Sequence, residues 1–313
     1  MTDQKKKCKA QWSDLPPELL SPIAESLDLI DLLCFRGVCK SWKSASSTAS
    51  AQSSAKPWFL VYGENSSECQ LLCESNKKYT ISLPELVGAT CIASSQGWLL
   101  VFQESSGSVF FFCPFSRAKI DLPNFPASQL SDHIAAFSSP PTSQDCILCV
   151  ISRADNDEWE LNLLRHGAEE WTKHNYSSKM YKIDAIKGAA YHKEGREFYF
   201  YDPKPHPKVL VFSTDNLNAQ CYQIVRNGLG TWTLPFGYCK DYFVTENLKN
   251  KLELAENVSI STCGIQMEIG GRIICGESIT AADGVTDQSS SRQLKGVWIH
   301  PRFYQVSSNN QSR

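Results

Sequence analysis

Thirteen cysteines and six histidines are the residues of this chain whose chemistry can be tested by spacing. Cys146 and Cys149 are separated by two residues, the spacing at which one loop commonly supplies two thiolates to zinc. Ile147 and Leu148 lie between them and Val150 and Ile151 follow, so the run reads as one apolar strand. No second Cys-x-x-Cys and no paired histidines follow at zinc-site spacing. Cys69 and Cys73, and Cys34 and Cys39, are likewise embedded among Leu and Phe. An odd number of cysteines cannot all pair internally, and cytosolic proteins rarely hold disulfides. The expectation is buried free thiols acting as small hydrophobes, with no metal and no cofactor.

Catalytic motifs are equally sparse. The chain has no Gly-x-Ser-x-Gly elbow, no phosphate loop ending Gly-Lys-Ser or Gly-Lys-Thr, and no His-Glu-x-x-His. Gly228-Leu229-Gly230 before Thr231-Trp232 reads as a turn. The histidines lie in polar or turn settings, as His206 does between Pro205 and Pro207, and none stands beside a nucleophile in the local sequence. No catalytic residue is assigned.

Binding is better supported than bond-making. Leu15, Leu19, Ile23 and Leu27 recur every four residues, and Leu32, Phe35, Val38, Cys39 and Trp42 recur at three and four. Both runs predict helices with apolar stripes. Residues 13–50 are near the ~40-residue limit below which a domain rarely stands alone without disulfides, metal or a partner. Two short helices cannot bury so much apolar surface between themselves, so a partner helix or groove is implied.

These residues closely resemble an F-box: Leu-Pro-x-Glu-Leu-Leu at 15–20, spaced Ile and Leu positions, then Val-Cys-Lys-x-Trp at 38–42. The resemblance implies a three-helix module that docks on a Skp-type adaptor, and through it on a cullin and a RING subunit of a ubiquitin ligase. Carried across position by position, Leu15, Pro16, Leu19, Leu20, Ile23, Leu27, Leu32, Val38, Cys39 and Trp42 fall on the motif's apolar positions. Some would face the adaptor and others the module's own core. Pro22 departs from a good helix, since it removes a donor and crowds the carbonyl four residues back, and a kink is expected there. The plainer alternative is a helical hairpin packed on the rest of its own chain.

Length and charge bound the remainder. The 313 residues suit one small module plus one large β domain. With 31 basic against 33 acidic residues there is no electrostatic footprint for nucleic acid or an anionic membrane, so neither is expected as a partner. No run approaches the ~18 apolar residues of a membrane span, and residues 1–10 are polar and lysine-rich rather than a signal sequence. A soluble intracellular protein of the nucleus, the cytoplasm or both is expected. Residues 1–11 read as a disordered basic tail, with Lys5 to Lys9 as an alternative nuclear-localisation patch.

After the helical module at 12–50, the Ser- and Ala-rich stretch from Ser44 to Ala55 marks a boundary, with a linker at 51–57. From Trp58 to 313 the chain reads as β. Ala89 to Ser95, a turn at Gln96-Gly97, and Trp98 to Val101 form a strand–turn–strand unit, followed by a strand at Ser108 to Pro114. His133 to Phe137 with Cys146 to Val150 repeats it, and Gly188 to His192 with Phe198 to Asp202 repeats it again. Taking Cys91, Ala135 and Ala189 as equivalent gives intervals of 44 and 54 residues, close to the ~40 to 50 of propeller blades. Five or six blades are expected. Tyr242 to Thr245 is a candidate further copy, 281–293 a disordered insertion, and Trp298 to Tyr304 a candidate last strand.

The Gly-Trp-Leu-Leu-Val type of strand, Pro-Phe-Ser-Arg-Ala-Lys-Ile-Asp-Leu-Pro at 114–123 and the domain order resemble a plant family of F-box proteins with a kelch-like β-propeller, although strict kelch double-glycine motifs are absent. The fold class expected is α+β in separate domains, a small all-α module followed by an all-β propeller-like domain. The resemblance implies a non-catalytic substrate receptor that holds an unknown target protein near a ubiquitin-loaded enzyme. Asp155 to Glu158 and Asp202 to Pro207 are candidate contacts with that target or plain solvated turns. The alternative from another class is a hydrolytic or sugar-processing propeller enzyme with an accessory helical module.

Overall fold

A computed structural model of the chain describes residues 15–49, 58–73, 77–126, 133–153, 158–177, 183, 186, 188–193, 195–202, 208–223, 225–226, 232–234, 237–238, 259–263 and 293–303. The expected tail at 1–11, the linker at 51–57, Asp155 to Asp157, Pro203 to Pro207, Gly228 to Gly230, Tyr242 to Thr245 and residues 281–292 lie outside these.

Three helices come first: α1 (Pro17–Ser26), α2 (Leu29–Val38) and α3 (Lys40–Ala45). Pro16 is extended and Pro17 takes the first helical position, where a missing N–H leaves nothing unsatisfied. The Pro16 carbonyl accepts from the amides of Leu19 (3.0 Å) and Leu20 (3.2 Å). Helix α1 runs past Pro22 to Ser26, and the carbonyl that Pro22 leaves without a donor belongs to exposed Glu18. Asp28 caps α2, its carboxylate accepting from the Asp31 amide at 2.9 Å. Extended Cys39 then breaks α2 from α3.

Leu20, Ala24, Leu32, Phe35 and Ala49 form the module's core, with Leu15, Leu27, Trp42 and Ala45 packed against it. The Phe35 and Trp42 rings lie 4.4 Å apart. The Ser21 hydroxyl donates to the Ala45 carbonyl (2.9 Å), tying α1 to α3.

The β region is a set of mainly antiparallel sheets, with one parallel strand pair in the first. The first holds β1 (Trp58–Gly63), β2 (Ser66–Leu72) and β3 (Lys78–Ser82). The second holds β4 (Ala89–Ser95), β5 (Trp98–Gln103), β6 (Ser108–Cys113) and β7 (Ala118–Asp121). The third holds β8 (Ile134–Phe137), β9 (Ile147–Arg153), β10 (Glu158–Arg165) and β11 (Thr172–Ser177). The fourth holds β12 (Gly188–His192), β13 (Glu197–Asp202), β14 (Lys208–Ser213) and β15 (Ala219–Gln223). A three-stranded sheet follows from β16 (Val225–Arg226), β17 (Trp232–Leu234) and β18 (Gly237–Tyr238). Cys91, Ala135 and Ala189, equivalent by sequence, each fall in the first strand of their sheet.

The chain closes on itself. After β19 (Ser259–Cys263), the strand β20 (Gln293–Ile299) pairs antiparallel with β1, setting Trp58 opposite Ile299 and Phe59 opposite Trp298. Gln293, the last residue of the expected insertion, is therefore the first of β20, where it pairs with Ser259 of β19. The expected last strand begins five residues earlier than Trp298 and stops at Ile299. Strand β20 lies against β4, β4 against β8, and β8 against β12. β4, β8 and β12 are the first strands of successive sheets, and their side-by-side placement is the arrangement of blades around a propeller axis.

Alternation drives this packing. In β9, Leu148 and Val150 enter the cluster shared with the first two sheets, whereas Ile147, Cys149 and Ile151 enter the cluster shared with the fourth. Two devices join the first and second sheets. A bulge between Cys91 and Ala93 frees the Cys91 amide, which donates to the Tyr62 hydroxyl at 2.8 Å. Lys295 of β20 donates to the Ala89 carbonyl (3.2 Å), the Thr90 hydroxyl (2.8 Å) and the Glu104 carboxylate (3.2 Å). The Thr90 hydroxyl, which donates to the Glu104 carboxylate at 2.8 Å, and after it Lys295 hold the Glu104 carboxyl below its ordinary pKa.

Candidate docking surface

The ten motif positions divide by burial. Leu20 and Leu32 are fully buried in the helical core, and Leu15, Leu27 and Trp42 pack on its edge. Leu19, Ile23 and Val38 are 55%, 44% and 57% exposed, and Pro16 is exposed as well. Cys39 is half-buried at the α2–α3 break. Leu19 and Ile23 stand one turn apart on the same side of α1, and Val38 closes α2. The motif is thus two sets of residues, one that builds the module and one that leaves apolar side chains in water. The exposed set can do one thing chemically, which is to exclude water against a complementary apolar surface.

A residue that sequence reasoning passed over is Arg36. Charged positions on a helix usually face solvent, but Arg36 is only 8% exposed. Its Nη2 donates to the carbonyls of Ser46 and Ala49, both at 2.8 Å, and its Nε donates to the Ser46 hydroxyl at 3.3 Å. Two of these acceptors are backbone groups just beyond α3, where the chain has no further helical amides to satisfy them. The guanidinium also lies 4.0 Å from the centroid of the Phe303 ring. Burial pushes its pKa down from the ordinary arginine value. The available signal was an arginine within the apolar run Leu32 to Val38, which a solvated-face reading discounts.

Cys146 and Cys149 point into different clusters on opposite faces of the third sheet. Three positions apart along a strand direction means opposite faces, so the pair cannot grip one ion. The Cys146 thiol donates to the Ser139 carbonyl at 3.1 Å. Burial pushes the thiols of Cys69 and Cys146 up to about 11 and that of Cys91 up to about 12. No group of three or more His, Cys, Asp or Glu placed to hold a metal occurs among the described residues. Of the two loop stretches considered as target contacts, the described residues are Asp202, which is buried, and Glu158, which is half-buried; Asp155 to Asp157 and Pro203 to Pro207 lie outside the described residues.

Comparison with known proteins finds two family matches along the chain. The F-box domain family matches residues 12–50, and the KIB1-4 beta-propeller family matches residues 66–257, more than half of the chain. An F-box/kelch-repeat protein of Arabidopsis thaliana is 33% identical over 178 residues, covering 56% of this chain and 50% of that protein. An F-box protein of the same plant is 32% identical over 175 residues, covering 55% of this chain and 44% of its own length. The chain spans about half the length of the curated relatives it matches. Among solved structures, TolB from Acinetobacter baumannii aligns with a TM-score of 0.36 and 11% identity, over 64% of this chain and 54% of that one.

Proposed function

The chain belongs to the KIB1-4 beta-propeller family and carries an F-box domain, and from that premise we propose that it is the substrate receptor of a Skp–cullin–F-box ubiquitin ligase. Leu19, Ile23 and Val38 dock on a Skp-type adaptor, which links the chain to cullin and RING subunits. The β domain holds a target protein. No bond is made or broken by a residue of this chain. The mechanism is proximity: a target lysine is held beside a ubiquitin-loaded enzyme, so that an intermolecular transfer becomes effectively intramolecular. The ligase would work in the nucleus, the cytoplasm or both.

The observation that carries this reading is the exposure of Leu19, Ile23 and Val38 in a module whose Leu20 and Leu32 are fully buried and whose Leu15, Leu27 and Trp42 pack on that core. Covering them yields ~1.5 to 3 kcal/mol for each fully buried side chain. The test is affinity purification of the full-length chain under proteasome inhibition. A Skp-type adaptor and at least one ubiquitinated protein are expected, and Leu19→Asp should lose the adaptor while keeping the target. Recovery of no adaptor with the parent chain would overturn the proposal.

A further inference from the structure

Helix α2 carries two apolar stripes. Leu32 and Phe35 face the helical core, whereas Leu29, Ile30 and Leu33, with Arg36 one turn on, face the β domain. Leu29 is 3% exposed inside the main β-domain cluster, and Ile30, Leu33 and Phe303 pack on the same cluster. Phe303 comes four residues after Ile299, the end of the strand that pairs with β1.

The segment that carries Phe303 is itself wedged. Gln96 and Gly97 form the β4–β5 turn with positive φ (50° and 85°), and a Cβ on Gly97 would sit 2.8 Å from the Arg302 Cβ and 3.2 Å from the His300 carbonyl oxygen. On another side the Cys113 thiol, at the end of β6, donates to the Arg302 carbonyl at 3.6 Å. Four parts of the chain remote in sequence meet here: α2, the β4–β5 turn, the end of β6 and the segment 300–303.

We propose that residues 300–303 form a latch that fixes the helical module on the β domain, with Phe303 as its bolt and Arg36 as its seat. Arg36 serves both sides: its fork bonds the carbonyls after α3 and its flat face receives the Phe303 ring. Pairing of β20 with β1 and orientation of the module are then one cooperative event. Resting on the receptor reading above, Phe303 and Arg36 are positioning residues, because the angle of α2 on the β domain sets where the adaptor, and the enzyme beyond it, stands relative to a bound target.

The test is hydrogen–deuterium exchange on the purified full-length chain, comparing the parent with Phe303→Ala, Phe303→Tyr and, from the helix side, Leu33→Glu. Phe303→Ala should speed exchange of the protected α2 amides about tenfold while β5 and β9 keep their protection, and Phe303→Tyr, which retains the ring, should restore the parent pattern. Leu33→Glu should reproduce the effect and decides the matter if Phe303→Ala fails to fold. Adaptor capture by these variants should match the parent, since Leu19, Ile23 and Val38 are untouched. Unchanged α2 exchange in Phe303→Ala and Leu33→Glu would overturn the latch and leave the receptor reading standing. Loss of adaptor capture by the parent chain would do the reverse.

Discussion

Helices α1 and α2 have the same length of 10 residues and both carry more apolar residues than the module's core accepts, yet the excess meets different fates. Leu19 and Ile23 of α1 remain in water, whereas Leu29, Ile30 and Leu33 of α2 are covered by the β domain. Apolar periodicity therefore reports that a helix has a face to cover, but not what covers it. Packing on its own chain holds for the Leu29, Ile30 and Leu33 face of α2, and docking on a partner is the use proposed for Leu19 and Ile23 of α1 and Val38 at the end of α2.

The comparison breaks most severely if the module is cut away. Residues 12–50 alone would expose the Leu29, Ile30 and Leu33 face. At ~1.5 to 3 kcal/mol for each fully buried side chain, an upper bound since Ile30 and Leu33 are only partly covered, this approaches the whole stability of a small domain. The excised piece should show weak helical circular dichroism and should gain helicity only on adding a Skp-type adaptor, whereas the full-length chain is folded without it. A fragment that melts cooperatively at the temperature of the intact chain would show that α2 needs no cover.

A milder strain on the latch comes from pH. Burial, with the charge of Arg302 second, pulls the His300 pKa down from 6.5 to about 4. The unfolded chain takes up this proton near 6.5 and the folded chain only near 4, so stability is complete above 6.5 and falls as the pH drops between those values. The full loss is on the order of 3 kcal/mol. Urea midpoints at pH 7.5, 6.5 and 5.0 should decline in the parent more than in His300→Gln, which has no proton to gain. Equal slopes would remove His300 from the account.

The smallest effect concerns thiols. Cys34 is exposed on α2, whereas Cys91, Cys113 and Cys149 are buried in the β clusters. Because the thiolate is the nucleophile and burial raises the pKa of Cys91 and Cys149, brief alkylation at pH 8 should mark Cys34 well before either. Peptide mapping by mass spectrometry reads the order. Early labelling of Cys149 would mean that the third sheet opens readily.

The parts legible in the sequence are those written locally. Leu15 to Trp42 packs a motif into one short stretch, and alternation around Cys91, Ala135 and Ala189 marks the first strand of three successive sheets. Gln96-Gly97 reads as a turn because its chemistry demands positive φ. The parts that were not legible depend on contacts between distant segments. The pairing of Trp58 with Ile299 joins opposite ends of the β domain, and nothing near either residue announces the other. Gly97 reads as a turn glycine, yet the approach of Arg302 also requires it. Arg36 reads as a solvated charge until Ser46, Ala49 and Phe303 are seen around it. The split of the ten motif residues into core and exposed sets likewise needs the three helices packed together.

The central claim is that two apolar faces do different work: Leu19 and Ile23 of α1, with Val38 at the end of α2, bind outward, and the Leu29, Ile30 and Leu33 face of α2 binds inward. Calorimetric titration of a Skp-type adaptor into the full-length chain, Leu19→Asp and Leu33→Glu tests it most directly. Leu19→Asp should bind at least about thirtyfold more weakly with its melting temperature unchanged, as expected for a central interface anchor. Leu33→Glu should lower the melting temperature and leave the affinity within about threefold, because its face is turned from the adaptor. The same loss of affinity in both variants, or in neither, would contradict the account.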